Sequence, residues 1–505
     1  MTAAPTENLF RLPGGIRLPS FKAQSATGDI HAAIIAPQLI VPLRQHAGAA
    51  ARATVAVGDT VHTGQCIGTA NGPFSANVHA PTSGTVVAID ERPVADRNNT
   101  SAQCIVIDSD GRDTYYDALT PLTNPFGMQP EAIRDAIGAA GIVGLGGAAF
   151  PTLAKLNQAV ASGIDTLLLN GVECEPYISC DDALMRQRAS DILYGTRVLM
   201  HALGMRQCII GVESDKPESW DALSAAASVD GDDRLKLVRI PTVYPSGGED
   251  QLVYLITGRE VPSGGFPSDA GVLVHNVATA ASVAALALTG MPLISRIVTI
   301  TGEGVATPGN YDVRLGTPIA DVIAQAGGYT DAAERLIMGG PMTGISVNDD
   351  AMPVGKSCNC LIATGPAIRT SKEPERACIR CGECARICPV QLQPQQMHRE
   401  HHFGDNARLL SMGLNDCIEC GCCDLVCPSH IGLTQSFRDA KRDAKLALYE
   451  RERADRAKAR YEERQSRSAA AEAQSAQEIS ALKDKASRDA IADILARAPK
   501  KDGDK

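Results

Sequence analysis

One cysteine run, written twice in close succession, constrains this chain more than any other feature. Cys378, Cys381, Cys384 and Cys388 are separated by two, two and three residues and followed by Pro389; Cys417, Cys420, Cys423 and Cys427 repeat the spacing and are followed by Pro428. A cubane cluster needs four thiolates around one inorganic core. Two-residue spacers let three sulfurs converge from a tight loop, and in paired runs of this form the fourth cysteine ligates the other cluster. The expected ligand sets are therefore Cys378, Cys381, Cys384 and Cys427 for one 4Fe-4S cluster, and Cys388, Cys417, Cys420 and Cys423 for the second. Gly382 and Gly421 allow the backbone to turn closely around each cubane. CxxC pairs also bind zinc, but a doubled four-cysteine run ended by proline favours iron–sulfur chemistry. Cys422 fits no ligand position in this register, and the Cys358-x-Cys360 pair offers only two thiolates locally.

Nine of the 16 cysteines fall between Cys378 and Cys427, a clustering that suits metal ligands and not a secreted disulfide scaffold. The start, MTAAPTENLFRLPGG, has no cationic stretch leading into an apolar one, so export is not expected. At 505 residues the chain exceeds one core and should divide into several domains. A net charge of −10 argues against nucleic acid as a partner. There is no uninterrupted apolar stretch of about 18 residues; Gly271 to Gly290, the nearest approach, reads as a buried core helix.

Composition shifts mark the domains. Residues 1–30 form a polar lead-in. Residues 31–110 carry short Val/Ile/Thr segments broken at Gly58-Asp59, Gly64 and Ser83-Gly84, an all-β unit. Residues 125–290 alternate helix and strand signals, predicting a parallel sheet covered on both faces. A small α+β unit occupies 296–360, the cysteine module 370–435, and a charged Ala-rich tail 438–505, helical and solvated or disordered. The chain is thus a multidomain α/β plus α+β protein. Its β unit resembles the biotinyl/lipoyl sandwich through VAVGDTVHTGQ and SGTV. That resemblance implies a scaffold or docking surface, because the turn that carries the family's lysine reads Ser75-Ala76-Asn77-Val78.

Two cubanes pass single electrons, so a further group must handle electron pairs. Gly144, Gly146 and Gly147, in GIVGLGGAAFPTLAK, let backbone amides approach an anion at the start of a helix. NGVECEPYISCDD, YPSGGEDQLVYLITG and PSDAGVLVHNVAT follow in order. Together these segments are similar to the NADH- and FMN-binding subunit of respiratory complex I and its hydrogenase relatives. The resemblance implies that Gly144, Gly146, Gly147 and Lys155 contact flavin phosphate or ribityl groups, that Asn170, Glu173, Asn276 and Thr279 complete an FMN cradle, and that Phe150, Glu175, Tyr244 and Glu249 face NADH. Leu145 stands where that family has an arginine, and Gly248-Glu249 where it has paired glutamates.

The whole order, from β sandwich through flavin domain, β-grasp-like unit (of the soluble-ligand-binding kind), two-cluster ferredoxin module and charged tail, resembles the C subunits of bacterial Rnf/Rsx electron-transport complexes. It implies a peripheral subunit on the cytoplasmic face of the cell inner membrane, touching integral and peripheral subunits that include a ferredoxin-like iron–sulfur one. There the complex exchanges electrons between NADH and ferredoxin, or a related low-potential carrier, and couples this to ion translocation. The alternatives are the flavoprotein subunit of a soluble NAD-linked hydrogenase or dehydrogenase, and a scaffold and cluster relay whose nucleotide domain has lost its ligands.

Overall fold

The computed structural model describes residues 9–96, 100–366 and 373–497. The chain divides into two compact units, residues 1–437 and 438–505. The first unit begins with a sandwich of β1 (Gln38–Pro42), β2 (Arg52–Ala53), β3 (Thr60–Val61), β4 (Cys66–Thr69), β5 (Val78–His79), β6 (Gly84–Pro93) and β7 (Ser101–Ser109). One antiparallel sheet runs β1-β7-β6-β3 and the other β2-β4-β5. Alternation along β1 turns Leu39 and Val41 inward onto Val61, Ile67, Val78, Ile105 and Ile107. The turn that bears lysine in biotinyl domains is here a fastening point. Asn77 Nδ2 donates to the Ala139 carbonyl at 3.1 Å, and the Asn77 carbonyl accepts from Lys356 Nζ at 2.9 Å.

The central domain contains α1 (Pro130–Ala139), α2 (Thr152–Ser162), β8 (Thr166–Gly171), α3 (Cys180–Gln187), α4 (Ala189–Leu203), β9 (Cys208–Glu213), α5 (Pro217–Asp230), β10 (Leu235–Ile240), α6 (Glu249–Thr257), β11 (Val272–Asn276) and α7 (Val277–Thr289). Its strands are parallel in the order β10-β9-β8-β11. Leu167, Leu168 and Leu169 of β8 are fully buried, the near-continuous apolar run expected of a strand covered on both faces. The stretch Gly271 to Gly290, read from sequence as one helix, is instead β11 followed by α7. His275 pairs across the sheet with Leu169, and the Asn276 side chain accepts from Ala278 N–H to cap the helix.

A β-grasp-like domain follows: β12 (Ser295–Thr301), β13 (Gly309–Arg314), α8 (Ile319–Gln325), β14 (Arg335–Met338), β15 (Ile345–Val347) and β16 (Cys360–Thr364), in sheet order β13-β12-β16-β14-β15. Cys358 and Cys360 are buried at the start of β16. The cysteine module has α9 (Glu383–Ile387), α10 (Pro394–His402), α11 (Asn406–Ser411) and α12 (Cys422–Leu425). Its internal repeat extends to the backbone. Arg380, Gly382 and Gln391 in the first run, and Glu419, Gly421 and His430 at the matching places in the second, all take positive φ.

The lead-in is a strap with partners in three domains. Phe10 N–H donates to the Leu255 carbonyl, Gly15 N–H to Ile387, Ile16 pairs with Tyr244, and His31 N–H reaches Asn310. The last helix, α13 (Leu433–Arg497), is 65 residues long. From Leu446 on, its described side chains are exposed, so the tail is helical and solvated. Among the described residues, no helix is long and apolar enough to cross a membrane.

Candidate functional site

The strand order reverses beside β8: β9 and β10 lie on one side and β11 on the other. Ligands of open α/β sheets bind at such a switch point, beyond the carboxyl ends of the strands. Asn170, near the end of β8, lies directly opposite Asn276 of β11. A cavity of about 560 Å³ opens there, walled by Gly144, Gly146, Ala148, Phe150, Lys155, Asn170, Glu249 and Asn276, together with His275, Phe266 and Ile418.

Over the cavity runs the loop from Gly144 to Phe150. Its ends are tied by Gly144 N–H to the Phe150 carbonyl at 2.8 Å and by Ala47 N–H of the sandwich to the Ala149 carbonyl at 3.1 Å. Gly147 and Ala149 take positive φ. Among the described residues, the N–H groups of Gly146 and Ala148, both on the cavity wall, make no well-aligned hydrogen bond to a protein acceptor, while the 145–148 stretch is closed as a turn. Open amides in a loop with alternating hand form an anion-binding concavity. Lys155 Nζ stands at the cavity wall, donating to the Val274 carbonyl at 2.7 Å and ion-paired with Glu249. His275 Nε2 is buried without a partner in the same wall. Burial, then Lys155, lowers the His275 pKa to about 3, so the imidazole is neutral. Free amides, a cation, two aromatic rings and an orphaned polar atom fit a flavin with its phosphate.

The remaining expected residues lie away from this wall. Gly147 faces a second cavity of about 630 Å³ on the other side of the loop, between the sandwich, central and β-grasp-like domains. Glu173 takes φ 51°, which turns its carboxylate inward, where it accepts from Asp181 N–H at 2.7 Å and Asp182 N–H at 3.3 Å at the start of α3. Burial raises its pKa to about 8. Asp181, also raised by burial, accepts from Asn276 Nδ2 at 2.6 Å, so these two carboxylates support the cavity from behind. The Glu175 carboxylate, raised by burial, accepts from Met342 N–H and from Thr343 N–H and hydroxyl in the β14–β15 turn. Thr279 is buried, and its hydroxyl accepts from Leu145 N–H at 3.0 Å. Tyr244 is buried, with its hydroxyl donating to the Cys420 carbonyl at 2.8 Å. Phe266, His275 and Ile418 are wall residues that sequence reading missed. His275 lies beside Asn276 at the carboxyl end of β11, but no alternation singles it out, since Leu273, Val274, His275 and Asn276 all border the cavity; Ile418 comes from the cysteine module, and no local pattern announces it.

Cys378, Cys381, Cys384 and Cys427 line one cavity, with Gln395 and His398 beside them. Cys388 is not on that wall. Its Sγ accepts from Leu392 N–H at 3.3 Å, and it lies within electrostatic reach of Cys420 in the second run. Four thiols, three from one run and one from the other, are a donor set suited to a cubane.

Comparison with known proteins agrees with this anatomy. Residues 10–112 match the RnfC barrel sandwich hybrid domain, 137–285 the Nuo51 FMN-binding domain, 297–346 the SLBB domain and 377–431 the 4Fe-4S dicluster domain. These matches define an electron-transfer chain that joins an FMN-binding domain to a dicluster domain. The chain is 47% identical over 433 residues to the C subunit of the ion-translocating oxidoreductase complex of Pseudomonas aeruginosa, covering 86% of this chain and 55% of that protein. It is 41% identical over 432 residues to the corresponding protein of Rhodobacter capsulatus, covering 86% and 83%. It therefore belongs to the family of C subunits of ion-translocating oxidoreductase complexes, and it spans little more than half the length of the Pseudomonas relative. Among solved structures, an air-oxidised NAD+-reducing NiFe-hydrogenase aligns at TM-score 0.43 and 20% identity, covering 62% of this chain and 60% of that one.

Proposed function

We propose that this chain is the NADH-linked redox subunit of an ion-translocating membrane complex, taking electrons from NADH at the cavity under Gly146–Ala149 and delivering them through two 4Fe-4S clusters. FMN, when bound, supplies the conversion between a two-electron donor and one-electron carriers. The observation that carries this reading is the pair of glycine-loop amides, Gly146 and Ala148, open to the cavity beside Lys155, at the switch point of a parallel sheet. The Gly146 and Ala148 amides and Lys155 hold the phosphate, Asn170 and Asn276 border the ribityl chain, and Phe150 and Phe266 offer faces to aromatic rings. Neutral His275 can donate or accept one hydrogen bond without adding charge. Glu173 and Glu175 act from outside the cavity in this scheme, fixing the loops that form it.

The second cysteine run is the one next to this cavity, since Ile418 lies in its wall and Tyr244 reaches Cys420. The cluster of Cys388, Cys417, Cys420 and Cys423 is therefore the entry carrier. Cys378 and Cys381 are exposed, so the first-run cluster is the exit, toward a ferredoxin-like subunit of the complex at the cytoplasmic face of the inner membrane. The test is iron and flavin analysis of anaerobically purified protein with EPR after reduction. About eight irons, two low-potential cluster signals and about one FMN are expected, with flavin bleaching on NADH addition. Protein that binds flavin and is not bleached by NADH would falsify the catalytic half.

A further inference from the structure

We infer that Arg296 of the β-grasp-like domain is the positioning residue that sets the anion-binding face of the glycine loop. The inference rests on the flavin-phosphate reading of that loop. Arg296 is 4% exposed on β12, and its Nη2 donates to the Leu145 carbonyl at 3.1 Å. Nη1 donates to the Lys356 carbonyl, and Nε lies 3.5 Å from the Ile297 carbonyl. All three contacts are backbone oxygens. Among the described residues no carboxylate is in ion-pair contact with this guanidinium, although buried Asp181 is near enough to feel its charge, and its burial is held by the neighbouring structure.

The Leu145–Gly146 peptide is planar and trans, so its carbonyl and its N–H point to opposite sides. Arg296 holds the carbonyl on one side, and Thr279 holds the Leu145 N–H. The Gly146 N–H is thereby directed away from Arg296. Without the guanidinium this peptide can flip, because the residue after it is glycine and tolerates the new dihedral angles. A flipped peptide presents the Leu145 oxygen where an amide stood, replacing attraction for an anion with repulsion. Leu145 itself is 2% exposed in the apolar core and carries no charge to the ligand. In this chain a buried arginine from the next domain governs the loop, acting on its backbone.

The experiment compares FMN with riboflavin, which lacks the phosphate. Flavin-depleted full-length protein with its clusters intact is titrated with each, following flavin fluorescence, for wild type, Arg296→Met and Arg296→Lys. Loss of the Gly146 N–H bond to phosphate, one charge-assisted hydrogen bond, corresponds to about tenfold in affinity, so Arg296→Met should weaken FMN by about tenfold and riboflavin by less than about threefold. Arg296→Lys, which keeps one donor, should fall between. Equal weakening of both flavins, or an unchanged FMN preference, overturns the inference and reduces Arg296 to a fold residue. Should Arg296→Met fail to retain its clusters, the same ratio in Arg296→Lys decides. A wild type without preference for FMN over riboflavin overturns the phosphate reading itself, and this inference with it.

Discussion

Cys388 closes the first cysteine run in sequence, yet the wall shared by Cys378, Cys381, Cys384 and Cys427 excludes it. A substitution there should therefore act at a distance in sequence. Cys388→Ala is expected to remove about half the iron and the EPR signal of the entry cluster, leaving the exit cluster, whereas Cys384→Ala should do the reverse. Loss of the same signal in both variants would refute the crossed assignment. These ligands are legible in the sequence because a cubane dictates spacing, and spacing is what a sequence records. Glu173 and Glu175 are the opposite case. Both sit in a loop at the end of β8, but whether a carboxylate faces a ligand depends on one dihedral. At Glu173 a positive φ turns it toward the N-terminus of α3, and no residue pattern encodes that choice.

Helix α7, capped by Asn276, brings Thr279 to the glycine loop, and its own placement depends on α4. The two pack so closely at Gly195 that a Cβ there would overlap the Ala280 carbonyl oxygen. Gly195→Ala must push the helices apart, and overpacking of this kind typically costs about 1–3 kcal/mol. The expected outcome is a lower denaturation midpoint together with weaker FMN binding, since Thr279 moves with the helix. An alanine variant with wild-type stability would mean the contact is softer than its geometry. At this scale the alternation of helix and strand was readable as an α/β sheet, because periodicity survives in any local window. The division of Gly271–Gly290 into β11 and α7 was legible only in part: Asn276 and Thr279 read as the mouth of a helix, but a fully buried strand and a fully buried helix share one apolar composition. Only Asn276, a capping residue in the middle of that run, marks the break.

Across the whole of residues 1–437, one lysine joins three domains. Lys356 is 1% exposed and donates to the carbonyls of Asn77 in the sandwich, at 2.9 Å, and Gly141 in the central domain, at 2.7 Å. Burial lowers its pKa from 10.5 to about 7, with the nearby Cys66 opposing the shift. The unfolded chain binds this proton more tightly than the folded one, so between about pH 7 and pH 10.5 unfolding takes up a proton and stability gains as pH rises. Lys356→Met removes that gain, an effect on the order of a few kcal/mol across the window. Denaturation midpoints of the two proteins, measured from pH 7 to pH 10, should diverge, the wild type improving relative to the variant; parallel curves would exclude the linkage. Nothing near Lys356 in the sequence marks it, because its acceptors come from domains more than 200 residues away in the chain.

The strap of residues 9–31 bears on how such a molecule is made. Synthesis is vectorial, and domains generally fold as they emerge. The strap is finished long before the residues it grips: Leu255 and Tyr244 come next, then Asn310, and Ile387 of the cysteine module last. The central domain can thus fold early and still lack a closing contact until the cysteine runs have left the ribosome. Gly15 on Ile387 is a late seal, set only in chains translated through to the metal-binding module, so truncated products are left with an unclasped N-terminal segment open to proteolysis.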